Sequence, residues 1–251
     1  MVIGMNVFFA RAPLLLVLFA LLGCASSGAP TVPLPPGSAA GSATPESDSF
    51  SPERLFKTDI DTATEINQRY ALKEMRKLMI KLYKRNPAQW RRHAPSLNEA
   101  VDMVFAADGY LTVFPEFADH WGGDVVNFAF DQQYEGDRVR AFVVGLLQMF
   151  MKSYGDSTHF YLTSDLDPQS LYNCARNFER AAWLLNNKKR PNGRPWLIAN
   201  SMDDGAINLS VERIFGKLIA TQDNMAYIIA EEENRTIKTV FQSVLSVFLP
   251  V

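Results

Sequence analysis

The chain has 251 residues, 47% hydrophobic and 21% charged, with 25 Lys and Arg facing 27 Asp and Glu for a formal net charge of −2. That apolar share suffices for one substantial core and excludes a wholly disordered chain. The slight acidity gives no bulk attraction to polyanions, and with no recognisable binding module it argues against nucleic acid as a partner.

At the N-terminus, Arg11 precedes an apolar run from Ala12 to Leu22 that closes on Leu21-Leu22-Gly23-Cys24. A short positive region, an apolar stretch and small residues at a cut site are the layout of an export signal, which is removed before folding. The run is shorter than the roughly 20 apolar residues a membrane-spanning helix takes. Leu21-Leu22-Gly23-Cys24 resembles the bacterial lipobox. That resemblance implies cleavage after residue 23 and lipidation of Cys24, with acyl chains such as palmitate that together hold a protein stably on a membrane. Ala25 and Ser26 follow, with no aspartate, and the same resemblance then implies the periplasmic face of the outer membrane. The signal carries only Arg11, so the mature chain has 24 basic and 27 acidic residues, a net −3.

Residues 24–52 read as a tether. From Ala25 to Pro52 there are six prolines, three glycines and seven serines, with Val32, Leu34 and Phe50 as the only large apolar residues, too few to bury a core. As a flexible coil these 28 residues span roughly 30 Å. Residues 53–251 then form a single domain. With Cys24 acylated, Cys174 has no partner for a disulfide, and its place between Leu171 and Phe178 on one helix face marks it as a buried small hydrophobe.

The periodicity of this domain is helical nearly throughout. Ser51-Pro52 opens a helix that runs, with a break near Thr58 to Thr62, to Arg85, where Asn86-Pro87 stops it; Ala71, Met75, Leu78 and Leu82 form its apolar stripe. Ser96-Leu97-Asn98-Glu99 is a capping box for a second helix through Ala107, ended by Asp108-Gly109. Asp137 to Ser153 is the most apolar segment and predicts a central helix, in which Gly145 lets a neighbour approach closely. Asp167-Pro168 opens a helix to about Asn187, and Asn192-Gly193 marks a turn. A short extended piece is expected over Trp196 to Ala199, a helix capped by Asn208 or Ser210 as far as Ala220, and a last helix from about Asp223 to Phe248. The sum is an all-α fold, an irregular bundle of six or seven helices.

Three features can carry chemistry. From Arg69 to Arg92 nine basic residues face one acid, Glu74, and Lys73, Lys77, Lys81 and Lys84 recur at helical spacing opposite the apolar stripe. This face suits an anionic membrane, an acidic envelope protein or a polyanionic glycan; alternatively it is a solvated face paired within the fold. The second feature is Glu116, Asp119, His120, Trp121, Gly122, Gly123 and Asp124. Its candidate acid/base residues are Glu116, Asp119 and His120, against the plainer reading of an inter-helix loop. No zinc spacing and no nucleophile elbow occurs, so no metal or cofactor is expected. The third is Asp203-Asp204-Gly205 with Asn200, Asn208 and Ser210, which lacks calcium-loop spacing and reads as a loop and helix cap. Glu231-Glu232-Glu233 reads as a solvated face or a partner of the basic helix. The apolar tail Val240 to Val251 reads as buried, with a docking surface as the alternative.

The stretches Leu171 to Glu179 and Leu209 to Leu218 resemble parts of uncharacterised Gram-negative lipoproteins, a likeness that implies neither substrate nor catalytic residue. The expectation is thus a membrane-anchored, non-enzymatic adaptor of an envelope complex. An enzyme acting on cell-wall glycan or another envelope substrate is the alternative, and a binder of lipid or another hydrophobic ligand, lined by Phe142 and Phe150, is the third.

Overall fold

The computed structural model describes residues 58–105, 114–161, 165–203, 206–232, 237 and 247–251, all within one compact unit, Phe50–Val251. The signal, Cys24, the tether, Ser51-Pro52, Asp108-Gly109, Asp204-Gly205, Glu233 and the first part of the tail, residues 240–246, lie outside the described residues.

The described fold is all-α: seven helices and one short hairpin. The helices are α1 (Asp59–Arg85), α2 (Pro87–Trp90), α3 (Leu97–Phe105), α4 (Gly123–Phe128), α5 (Arg138–Ser153), α6 (Pro168–Asn187) and α7 (Ser210–Glu232). A 3-10 turn, Pro115–Phe117, precedes α4. No helix among these residues is long and apolar enough to cross a membrane.

α1 starts at Asp59 because Thr58 and Asp61 cap each other. The Thr58 hydroxyl accepts from the Asp61 N–H at 3.1 Å, and the Asp61 carboxylate accepts from the Thr58 N–H at 2.8 Å, which satisfies two of the orphan donors of a helix start. Ala71, Met75, Leu78 and Leu82 are all fully buried, and α1 packs along this stripe against α5 and α7. At the start of α3 the Ser96 hydroxyl accepts from the Glu99 N–H at 3.2 Å and donates to the Glu99 carboxylate at 2.8 Å.

α5 is the central element. Asp137 caps it, accepting from the N–H groups of Val139 and Arg140 at 3.0 Å each, and along its length only Gln148 and Lys152 escape burial. At Gly145 a Cβ would stand 2.5 Å from the Gly122 carbonyl oxygen and 2.7 Å from the Val126 nitrogen, so the absence of a side chain is what lets α4 lie on α5. Asp167 and Pro168 open α6, whose Leu171, Cys174 and Phe178 are fully buried.

Two expectations are corrected. α7 is one unbroken helix across Ala220 to Asp223, where a boundary was expected. Thr221, Gln222 and Asp223 look like cap residues, but the buried Gln222 amide donates to Ser153 and accepts from the Tyr154 hydroxyl. Asp223 reaches Arg176 of α6 at 2.7 Å. Trp196 to Ala199 is not a strand. The Asn86 side chain takes both the N–H and the C=O of Ile198, at 2.9 and 3.0 Å, in place of a neighbouring strand. The regular pair lies further on, β1 (Ser201–Asp203) antiparallel to β2 (Ala206–Asn208), and Asn208 then caps α7 through the Ser210 N–H.

Candidate functional site

The outward stripe of α1 begins with two exposed apolar residues, Ile66 and Tyr70, and continues through Lys73, Lys77, Lys81 and Lys84. Lys73, Lys77 and Lys84 are exposed and Lys81 is half-buried. These lysines are not equivalent. Glu74, 2% exposed, is gripped by Lys77 at 2.6 Å and by Lys217 of α7 at 3.6 Å. Burial pushes the Glu74 carboxyl up, but the Lys77 hydrogen bond and the two ammonium charges outweigh it and hold it below its ordinary range. Lys77 is therefore committed to the fold. Arg69 and Arg76 are likewise paired, with Glu65 and Asp102. Among the described residues Lys73, Lys81 and Lys84 make no ion pair. Glu231 and Glu232 are exposed and do not face them in an ion pair.

The loop before α4 does not gather Glu116, Asp119 and His120 into one site. Arg140 grips the Glu116 carboxylate with two bonds, Nε to Oε1 at 3.1 Å and Nη2 to Oε2 at 3.0 Å, and the Tyr134 hydroxyl adds a third at 3.2 Å. Asp119 is exposed, and His120 stands edge-on to Phe128 with ring centroids 4.8 Å apart. Gly122, in the left-handed region with φ +54°, donates its N–H to Gln148 of α5 at 2.8 Å. These residues thus build a tight entry into α4. A cleft of about 410 Å³ adjoins this loop at Trp121 and Asp124, but neither Glu116, Asp119 nor His120 lines it. Among the described residues no group of three or more His, Cys, Asp and Glu is placed to hold a metal.

Phe142 and Phe150 are fully buried, Phe142 edge-on to Phe130 and Phe215, Phe150 tilted against Tyr154 and stacked on Phe178, at centroid distances of 4.9 to 6.4 Å. Rings packed in this way make a close-packed core. Cys174 is wholly buried, and burial pushes its thiol up to about 12. The described end of the tail is fixed to α6. Asn177 donates to the Leu249 carbonyl at 2.9 Å and accepts its N–H at 2.7 Å, while Asn173 donates to Pro250 at 2.8 Å.

One constellation has no local sequence pattern. Arg92, Arg138 and Arg190 come from three distant segments and line one cleft with Gln89 and Tyr134. Arg138 is almost fully buried and donates to the carbonyls of Phe128, Ala129, Asp131 and Tyr134. Its guanidinium lies 4.4 Å from the Trp196 ring centroid, and that of Arg190 lies 5.1 Å from the same ring. Burial, aided by the neighbouring Arg190 charge, lowers the Arg138 pKa from its ordinary value.

Comparison with protein-family models, curated proteins and solved structures returns no match.

Proposed function

We propose that this chain is a lipid-anchored envelope protein, held through Cys24 on the periplasmic face of the outer membrane, and a non-enzymatic adaptor whose α1 stripe docks on an acidic envelope protein or anionic surface. The observation that carries the reading is that, among the described residues, Lys73, Lys81 and Lys84 stand without ion pairs, in line with exposed Ile66 and Tyr70. Unpaired charge beside apolar surface offers both attraction and burial to a partner. A tether raises the effective concentration of such a face near its target, so a weak contact suffices. The Glu116 carboxylate, occupied by Arg140, gives no support to acid/base catalysis.

At roughly 1 kcal/mol per basic residue near an anionic surface, removing three lysines weakens docking by about a hundredfold. The test is in-cell crosslinking and recovery of the lipidated protein, comparing wild type, Cys24→Ser and the triple variant Lys73→Ala, Lys81→Ala, Lys84→Ala. Lys77 is left intact because it holds Glu74. A partner lost in the triple variant with its melting temperature unchanged is the expected result. Undiminished capture by that folded variant removes the stripe from the account.

A further inference from the structure

The arginine cleft is a separate feature from the lysine stripe and has a different character. It encloses about 450 Å³ between α2, the start of α5 and the turn after α6. Arg190 also borders an adjoining hollow of about 370 Å³, together with Arg194 and Trp196. The only carboxylate in either lining belongs to Glu135, and among the described residues none of Arg92, Arg138, Arg190 and Arg194 forms an ion pair. Arg138 is held in place by four backbone carbonyls, which fix its charge without neutralising it.

A second observation is independent of charge. The Arg190 Nε and the Trp196 Nε1 are buried donors with no acceptor, and Trp196 is only 8% exposed. Leaving a buried donor unmatched is costly. An anion in the cleft would relieve the repulsion between Arg138 and Arg190 and supply an acceptor for Arg190, which lines it and is only half-buried; Trp196 lines only the adjoining hollow. Planar guanidinium forks suit oxyanions because each delivers paired N–H groups. Because Arg138 spends its fork on backbone carbonyls, the forks left for a ligand are those of Arg92 and Arg190, which arrive from two chain segments and call for oxygens on different sides, as a tetrahedral phosphate presents and a flat carboxylate does not. We infer that this cleft binds a phosphate group, free or on a lipid head group, through Arg92 and Arg190 against the fixed charge of Arg138.

The test uses the full chain in neutral detergent, titrated with inorganic pyrophosphate at constant ionic strength, with calorimetry and tryptophan fluorescence as readouts. Vesicles of phosphatidylglycerol, with phosphatidylcholine as control, form the second arm. The expected result is saturable 1:1 pyrophosphate binding that weakens at least tenfold in Arg190→Gln and in Arg92→Gln. Arg190→Lys, which keeps the charge and loses the fork, should restore only part of it. The triple lysine variant should bind pyrophosphate as wild type does, separating this site from the α1 stripe. Arg190-dependent binding to phosphatidylglycerol alone assigns the phosphate to a lipid. Arg92 is exposed and its one hydrogen bond, to the Glu135 carbonyl, is long at 3.4 Å, so its variant remains informative if Arg190→Gln fails to fold. No saturable binding in either arm, or binding unchanged in the folded arginine variants, overturns the inference.

Discussion

Replacing Gly145 by alanine sets two opposed effects against each other. Alanine is favoured over glycine inside a helix by about 1 kcal/mol. The added Cβ, however, would sit 2.5 Å from the Gly122 carbonyl oxygen and 2.7 Å from both the nitrogen and Cγ2 of Val126. Two of these atoms are backbone, so relief requires the start of α4 to move away from α5, which also strains the 2.8 Å bond from the Gly122 N–H to Gln148. Overpacking of this kind costs about 1–3 kcal/mol, and weakening one hydrogen bond adds up to about 1 kcal/mol. The clash wins, leaving Gly145→Ala destabilised by up to about 3 kcal/mol. Gly216 of α7 is the internal control, because a Cβ there meets nothing within 4 Å. Gly216→Ala should stabilise by about 0.5–1 kcal/mol. At about 2–4 °C per kcal/mol for a domain of this size, thermal melts followed by far-UV circular dichroism should move in opposite directions. Equal or raised stability in Gly145→Ala would refute the close approach of α4.

Asp137→Ala removes the cap of α5 and strands the buried Tyr83 hydroxyl, which donates to Asp137 at 2.8 Å; the combined loss is about 2–4 kcal/mol in urea denaturation. Asp137→Asn keeps the oxygen that caps α5 and turns its NH2 towards the Tyr83 hydroxyl, which can then accept, so it should cost less than Asp137→Ala. Burial raises the Asp137 pKa above its ordinary 3.8, so its contribution is full below the unfolded value and is lost as pH rises through the folded one. The balance between wild type and Asp137→Asn should therefore shift toward the asparagine variant between pH 3.5 and pH 7, and a constant difference would contradict the burial. Cys174, fully buried with its thiol raised to about 12, should react with a thiol reagent only as fast as the domain opens. In a Cys24→Ser background, rapid labelling under native conditions would place it elsewhere.

The fold was legible where local rules and burial agree. The stripe on α1, the Asp167-Pro168 start and the close approach at Gly145 each follow from a few adjacent residues, and the structure uses each as read. The errors lie where polar side chains act at long range. Gln222 and Asp223 resemble a helix boundary until Ser153, Tyr154 and Arg176 are brought beside them. Likewise, Asn86 satisfies the backbone of a residue 112 positions away. The candidate sites divide in the same way. The lysine stripe is periodic on one helix and so visible, although Glu74 as the holder of Lys77 is not. The arginine cleft is assembled from segments around positions 92, 138 and 190, with no spacing to betray it.

α1 is the first described helix of the bundle, so a pull applied at Thr58 is borne first by α1. The helix meets that load with unlike fastenings. Its first turn is closed by the partly exposed Thr58–Asp61 box. Its middle is bolted across to α7 through buried Glu74, and its far end is clasped by Asn86 on Ile198. Unwinding a turn at the mouth and tearing the rod out of the bundle are thus separate mechanical events. The first acts as a fuse that spends slack before the second begins.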